Sequence, residues 1–224
     1  MKLPLPQTVA LIVARANTLT PTLVAHLEAL GPPATKLLIG IATGERRDLM
    51  SGKPWSQQLQ ALALIKALHP PEAIRPLFNL IVHRRRDEDR YCDEEIELDD
   101  KLMGTLDSYG AAALEPGLDA YAETKTADTR RTVCAVLSNL GVHDARVRAI
   151  LLHHLEIEPE HAASWLEQYG DVTTLEHIIE RFNRYEVPDH YTQDDIYVVE
   201  DCASAIVALG GKLTPEQSAK LFYG

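Results

Sequence analysis

The chain has 224 residues, 46% hydrophobic and 25% charged, and its 33 Asp and Glu against 22 Lys and Arg give a formal net charge of -11. That composition is too apolar for a disordered chain, and the longest unbroken apolar run, Val9 to Ala14, falls far short of the roughly 20 residues a bilayer span takes. Cys92, Cys134 and Cys202 lack C-x-x-C spacing, which argues against a disulfide framework or zinc ribbon, and Met1 to Pro6 lacks the pattern of a secretory leader, so a cytoplasmic protein without membrane association is expected.

Thr20-Pro21 places an N-cap hydroxyl before a proline whose missing N–H costs nothing at the first helical position, which predicts a helix start. Ala29-Leu30-Gly31-Pro32-Pro33 and Ala67-Leu68-His69-Pro70-Pro71 echo one another at an offset of 38 residues. Further on, apolar residues recur at i, i+3, i+4 and i+7 in Val133, Val136, Leu137 and Leu140, then in Leu175, Ile178, Ile179 and Phe182. Val147, Ile150, Leu151 and Leu155 form a similar stripe, as do Ile196, Val199, Ala203 and Ile206. Such stripes belong to helices that bury one face. Thr214-Pro215-Glu216-Gln217 adds a second capped start, with Gln217 spaced to reach back to the Thr214 N–H. About 11 or 12 helices with short connections are expected, and no strand alternation competes.

The helix-end signals Tyr109-Gly110, Leu140-Gly141, Tyr169-Gly170 and Leu209-Gly210 lie 31, 29 and 40 residues apart, which are helix-hairpin lengths. Gly110, Gly141, Gly170 and Gly210 stand where a left-handed residue closes a helix. Leu106 to Gly110 and Leu166 to Gly170 match as L-x-x-Y-G. A hairpin of amphipathic helices cannot bury its face alone, so the expected fold is all-α, a right-handed α-solenoid of stacked antiparallel helix pairs over residues 1–224. The alternative is an all-helical globular domain with accidental spacing. Helical hairpins over 1–86 and repeats over 94–224 would be joined by a charged loop at 83–95.

Asp128-Thr129-Arg130-Arg131, followed by the Val133 to Leu140 stripe and Gly141, resembles the second helix of a HEAT-like repeat, and Asp144-Ala145-Arg146-Val147-Arg148 is similar to that family's D-x-x-V-R opening. The resemblance covers about the last 120 residues, including Leu209 to Gln217, and is closest to bacterial members of unassigned activity. It implies a HEAT-like α-solenoid in which Arg130 braces neighbouring repeats. The wider family contains interaction scaffolds, bilin lyases and DNA glycosylases, so the resemblance implies fold more than function.

Two segments depart from the repeat. His83 to Glu95 runs from Arg84-Arg85-Arg86 straight into Asp87, Glu88, Asp89, Asp93, Glu94 and Glu95. It reads either as a solvated loop whose acids favour the next helix N-terminus or as a docking loop in which those six acids make contact. Arg184 to Asp195 lengthens the last interval, with Pro188 stopping a helix, and reads either as a packed loop or as an aromatic binding edge.

No H-E-x-x-H, H-x-x-x-H, G-x-S-x-G, Walker or G-x-G-x-x-G pattern occurs. Folding would have to assemble any metal site from His153, His161 and Glu158, and neither metal nor cofactor is expected. Cys134 and Cys202 fall in or beside apolar stripes and Cys92 among acids, so no thiolate nucleophile or other catalytic residue is nominated. The acidic balance favours a basic protein partner, and one specific form is an immunity- or antitoxin-like protein that masks a basic toxin domain. An enzyme such as a bilin lyase or a DNA glycosylase is the alternative. The glycosylase would need a cationic groove that Arg84 to Arg86, followed at once by acids, do not make, so nucleic acid is not an expected partner.

Overall fold

The computed structural model describes residues 3–16, 19–50, 53–83, 93–186 and 192–221. Among them the chain is all-α, with thirteen α-helices, four short 3-10 turns and no strand. It divides into two compact units, Met1–Thr129 and Arg130–Gly224, with the boundary inside one helix.

Unit 1 holds α1 (Leu5–Ala14), α2 (Pro21–Leu30), α3 (Pro32–Ala42), α4 (Pro54–Leu68), α5 (Ile74–His83), α6 (Asp93–Asp107) and α7 (Leu114–Glu123), and α8 (Ala127–Asn139) crosses the boundary. Helix α3 packs on α1 and α4, α4 on α6, and α5 on α7. Leu38 and Ile41 of α3, Leu62 and Ile65 of α4, and Leu77 and Phe78 of α5 are sealed from solvent. Each such side chain contributes about 1.5–3 kcal/mol by leaving water.

Unit 2 continues with α9 (Ala145–Ile157), α10 (Pro159–Tyr169), α11 (Leu175–Arg184), α12 (Gln193–Ala208) and α13 (Pro215–Lys220). Helix α9 packs on α10 and α11, and α12 packs on both α10 and α11. The stripe Val133, Val136, Leu137 and Leu140 is buried, as are Val147, Leu151, Leu155, Ile178, Phe182, Val199, Ala203 and Ile206.

The caps follow side-chain chemistry. Thr20 accepts from the Leu23 N–H, and Thr214 and Gln217 form the reciprocal capping box that their spacing requires, with Thr214 N–H donating to Gln217 Oε1 at 2.8 Å. Thr192 and Asp195 make a second box at the start of α12, inside the segment 184–195. Gly110, Gly141, Gly170 and Gly210 all have positive φ. At Gly170, φ of 69° lets its N–H reach the Leu166 carbonyl and end α10, whereas Gly110 opens a 3-10 turn, Gly110–Ala113, instead of closing α6 in that way. At the echo, Gly31 and His69 share a positive φ, 74° and 51°, but His69 is left-handed helical with ψ of 44° whereas Gly31 has ψ of -171°.

The L-x-x-Y-G match has a common three-dimensional meaning. Tyr109 stacks on His69 with centroids 5.0 Å apart, and its hydroxyl donates to the carbonyl of the next residue, Pro70, at 3.0 Å. Tyr169 lies the same 5.0 Å from His143, and its hydroxyl donates to the carbonyl of Asp144 at 2.9 Å. Each tyrosine thus ties the end of one helix to the turn that precedes another. A 3-10 turn and a helix of 10 residues follow in both places, α7 in the first and α11 in the second. Tyr169→Phe keeps the ring and removes the hydroxyl's bond to the Asp144 carbonyl, which still accepts the Arg148 N–H at 3.0 Å, so it should cost about 0.5–1 kcal/mol in urea denaturation. An unchanged midpoint would mean that the hydroxyl contributes nothing.

Candidate functional site

Of the acidic segment, Asp87, Glu88 and Asp89 lie outside the described residues. Asp93 is the first residue of α6, Glu94 is exposed, and Glu95 is half-buried with Oε2 shielded from solvent and without a hydrogen-bond partner among the described residues. Glu94, Glu97 and Asp100 occupy the open side of α6, so Glu95 differs from its neighbours in turning inward.

Arg130 lies in the first turns of α8, and its positive charge reaches Cys134 and His154. Its neighbour Arg131 carries an interhelical bridge, Nε to Glu158 Oε2 at 3.2 Å. Of the histidine candidates, His153 is exposed and His161 stacks on Trp165 at 6.0 Å, so they do not converge on Glu158. Buried His154 takes that place, with Nδ1 3.5 Å from Glu158 Oε2 and its ring edge-on to Trp165 at 5.7 Å. Burial holds His154 below the ordinary histidine range, against the raising effect of Glu158. No group of three or more His, Cys, Asp or Glu able to hold a metal occurs among the described residues. Cys134 and Cys202 are buried, and burial pushes both thiols up to about 12, far from a thiolate at neutral pH. Cys92 and Val187 to Tyr191, with the expected helix stop at Pro188, lie outside the described residues.

Unit 1 holds a cavity of about 670 Å³ walled by Leu5 of α1, Pro33, Leu37 and Ile39 of α3, and Pro76 of α5. Lys36, Glu45, Arg46 and Glu72 stand at its edge. The turn after α3 is fastened to that helix. Arg46 N–H donates to the Gly40 carbonyl at 2.8 Å and Thr43 Oγ1 to Ile39 O at 3.1 Å, while from α4 Gln58 Nε2 donates to Ala42 O, the end of α3, at 3.2 Å. The Arg46 guanidinium forks Asp48, Nε to Oδ1 at 2.8 Å and Nη2 to Oδ2 at 2.7 Å. Gly40 is required there because a Cβ would come within 2.7 Å of Arg46 Cγ. No local sequence pattern announces this cavity. Its walls come from three helices, and its one trace is a glycine inside the apolar run Leu37 to Ala42.

Charge is unevenly distributed, which the total conceals. Residues 1–86 carry eleven Lys and Arg against four Asp and Glu, and residues 87–224 carry eleven against twenty-nine. In unit 2, burial first and then the charges of Glu167 and Glu200 raise Asp201 above the usual carboxylate range, while His161 opposes them. In unit 1, burial pushes Asp107 up to about 6 despite Lys66.

These two kinds of buried group set opposite pH dependences. Asp107 has a raised folded pKa, so its contribution is present below about 3.8 and is lost as pH rises through about 6. His154 has a depressed folded pKa, so its contribution is present above 6.5 and is lost as pH falls below it. Asp107→Asn should therefore stabilise the protein at pH 7.5 by about 1–2 kcal/mol, discounted for partial solvent exposure, with the gain shrinking toward pH 4.5. Denaturation at both pH values checks this, and a variant equally destabilised at both would contradict it.

In comparisons with known proteins, no protein-family model, no curated protein and no solved structure matches the chain. No helix among the described residues is long and apolar enough to cross a membrane.

Proposed function

We propose that this chain is a non-enzymatic binding module, built of stacked helix pairs in the manner of HEAT-like repeats, that engages a basic protein through the acidic surface following residue 86. The observation that carries this reading is the charge distribution: residues 87–224 hold twenty-nine acids against eleven bases. Glu94, Glu97 and Asp100 on α6, and Asp194 and Glu200 on α12, are exposed. A surface with this excess attracts a cationic partner and accelerates encounter with it.

The repeat architecture draws support from helices that pack on the next but one, α4 on α6 and α5 on α7 in unit 1, α9 on α11 and α10 on α12 in unit 2. The recurrent His–Tyr–carbonyl contact adds to it. Repeat modules of this kind bind through extended surfaces and need no catalytic residues. An immunity- or antitoxin-like role, masking a basic toxin domain, is one form of this function.

The test is affinity capture from the native host with the full chain as bait, run at low and high salt, followed by identification of what is retained. A partner of basic isoelectric point, released as salt shortens the Debye length from about 10 Å at 0.1 M to about 3 Å at 1 M, is expected. Capture of acidic proteins alone, or retention indifferent to salt, would overturn the reading.

A further inference from the structure

The cavity of unit 1 takes no part in the function proposed above, and its chemistry runs against that of its surroundings. Residues 1–86 contain only four acids, Glu28, Glu45, Asp48 and Glu72, and three of them gather at this one place. Glu45 and Glu72 line the cavity, and Asp48 occupies the fork of Arg46, which also lines it. The Arg46 charge is thereby cancelled. Lys36 is then the one remaining cation among the lining residues, against two carboxylates that have no ion-pair partner among the described residues. The rim is net negative in a part of the chain that is otherwise strongly basic.

The interior calls for an apolar body. Its walls are aliphatic and proline side chains, and a volume of about 670 Å³ falls in the range of small-molecule sites, roughly 300–1,000 Å³. Glu45 and Pro76 also border a second hollow of about 370 Å³ with Thr43, Asn79 and His83. The hydrogen bonds from the 43–46 turn to α3 hold that rim in place before a ligand arrives, which reduces the ordering cost of binding.

We propose that this cavity binds an organic monocation, an alkyl or aryl amine whose apolar body lies against Leu5, Leu37 and Pro76 and whose ammonium meets the carboxylates of Glu45 and Glu72. An organic anion of the same shape is disfavoured. It would meet two carboxylates at the rim, and the Nε and Nη2 donors of Arg46 are already given to Asp48. A neutral molecule would leave both carboxylates unengaged.

The test is calorimetric titration of the full chain with decylammonium below its micellar concentration, alongside decanoate and decanol as chain-matched probes. Decylammonium should saturate a single site with a dissociation constant on the order of 100 μM, and decanoate should bind at least about tenfold more weakly. Replacing both acids, Glu45→Gln with Glu72→Gln, should weaken decylammonium about tenfold and bring it level with decanol. Leu37→Trp, which fills the cavity from a partly exposed wall, should abolish binding of all three. Melting curves identify a variant that fails to fold; should Leu37→Trp do so, the Gln pair decides. Equal or tighter binding of decanoate, absence of saturation, or indifference of a folded Leu37→Trp variant would each overturn the proposal. Because the acidic surface plays no part in this titration, failure here leaves the protein-binding reading standing, and success does not prove it.

Discussion

Phe182→Ala should lower the free energy of unfolding by about 3–5 kcal/mol, the largest effect expected of any single substitution discussed. Phe182 is fully sealed on α11, a helix that packs on both α9 and α12, so no open side allows the surroundings to collapse into the vacated space. Its ring also carries the Lys220 ammonium 5.1 Å above its centroid. Against a typical total of about 5–15 kcal/mol, a loss of this size should leave the variant barely folded at 37 °C. Urea denaturation measures it, and a loss below about 1 kcal/mol would mean that α11 is not held through this side chain.

Lys220→Met should cost about 2 kcal/mol while keeping the apolar stem over Phe182. The Lys220 Nζ donates to the carbonyls of Phe182 and Tyr185, each at 2.6 Å, and of Asn183 at 3.4 Å. These include carbonyls at the C-terminus of α11, where a cation also meets the negative end of the helix dipole. Burial holds the ammonium below the ordinary lysine range, so desolvation offsets part of the gain. Gln217, through Nε2 to Asn183 Oδ1 at 2.8 Å, is the second attachment of α13 to the same helix end. Loss of hydrogen-exchange protection over 215–220 should accompany the fall in stability. Full protection in the Met variant would show that Gln217 alone suffices.

The sequence conveys local structure where a short pattern has one physical cause. The stripes of α8 and α11, the Thr20 and Thr214 caps and the left-handed Gly141, Gly170 and Gly210 were all legible, because side-chain period, hydroxyl spacing and freedom of φ act over a few residues. Thirteen helices stand among the described residues where about 11 or 12 are expected, and the last of them, short α13, is announced by its Thr214 cap and not by any apolar period. The capping box of Thr192 and Asp195 was readable by the same rule as that of Thr214, but it lay in a segment taken as a departure from the repeat. Glu95 was misleading for a physical reason. It shares a helical face with Leu98, Asp99 and Leu102, so two acids occupy positions of an otherwise apolar stripe and blur it.

What required the folded chain were contacts between distant segments. His154 with Glu158 is local, yet its burial depends on Trp165 of the next helix. The Tyr109 and Tyr169 hydroxyls reach carbonyls 39 and 25 residues away, and the unit 1 cavity joins α1, α3 and α5. The segregation of charge at residue 86 was countable from the outset and hidden only by averaging over the whole chain.

The most direct test of the proposed function is the association rate of the captured basic partner with the parent protein and with a variant carrying Glu94→Gln, Glu97→Gln and Asp100→Asn, measured from 50 mM to 500 mM salt. Glu95 is left intact because it is half-buried. The variant should associate at least about threefold more slowly at low salt, with a flatter salt dependence and an unchanged melting temperature. Association equal in rate and in salt dependence to the parent would contradict an acidic docking surface on α6, and a parent rate insensitive to salt would contradict electrostatic recognition altogether.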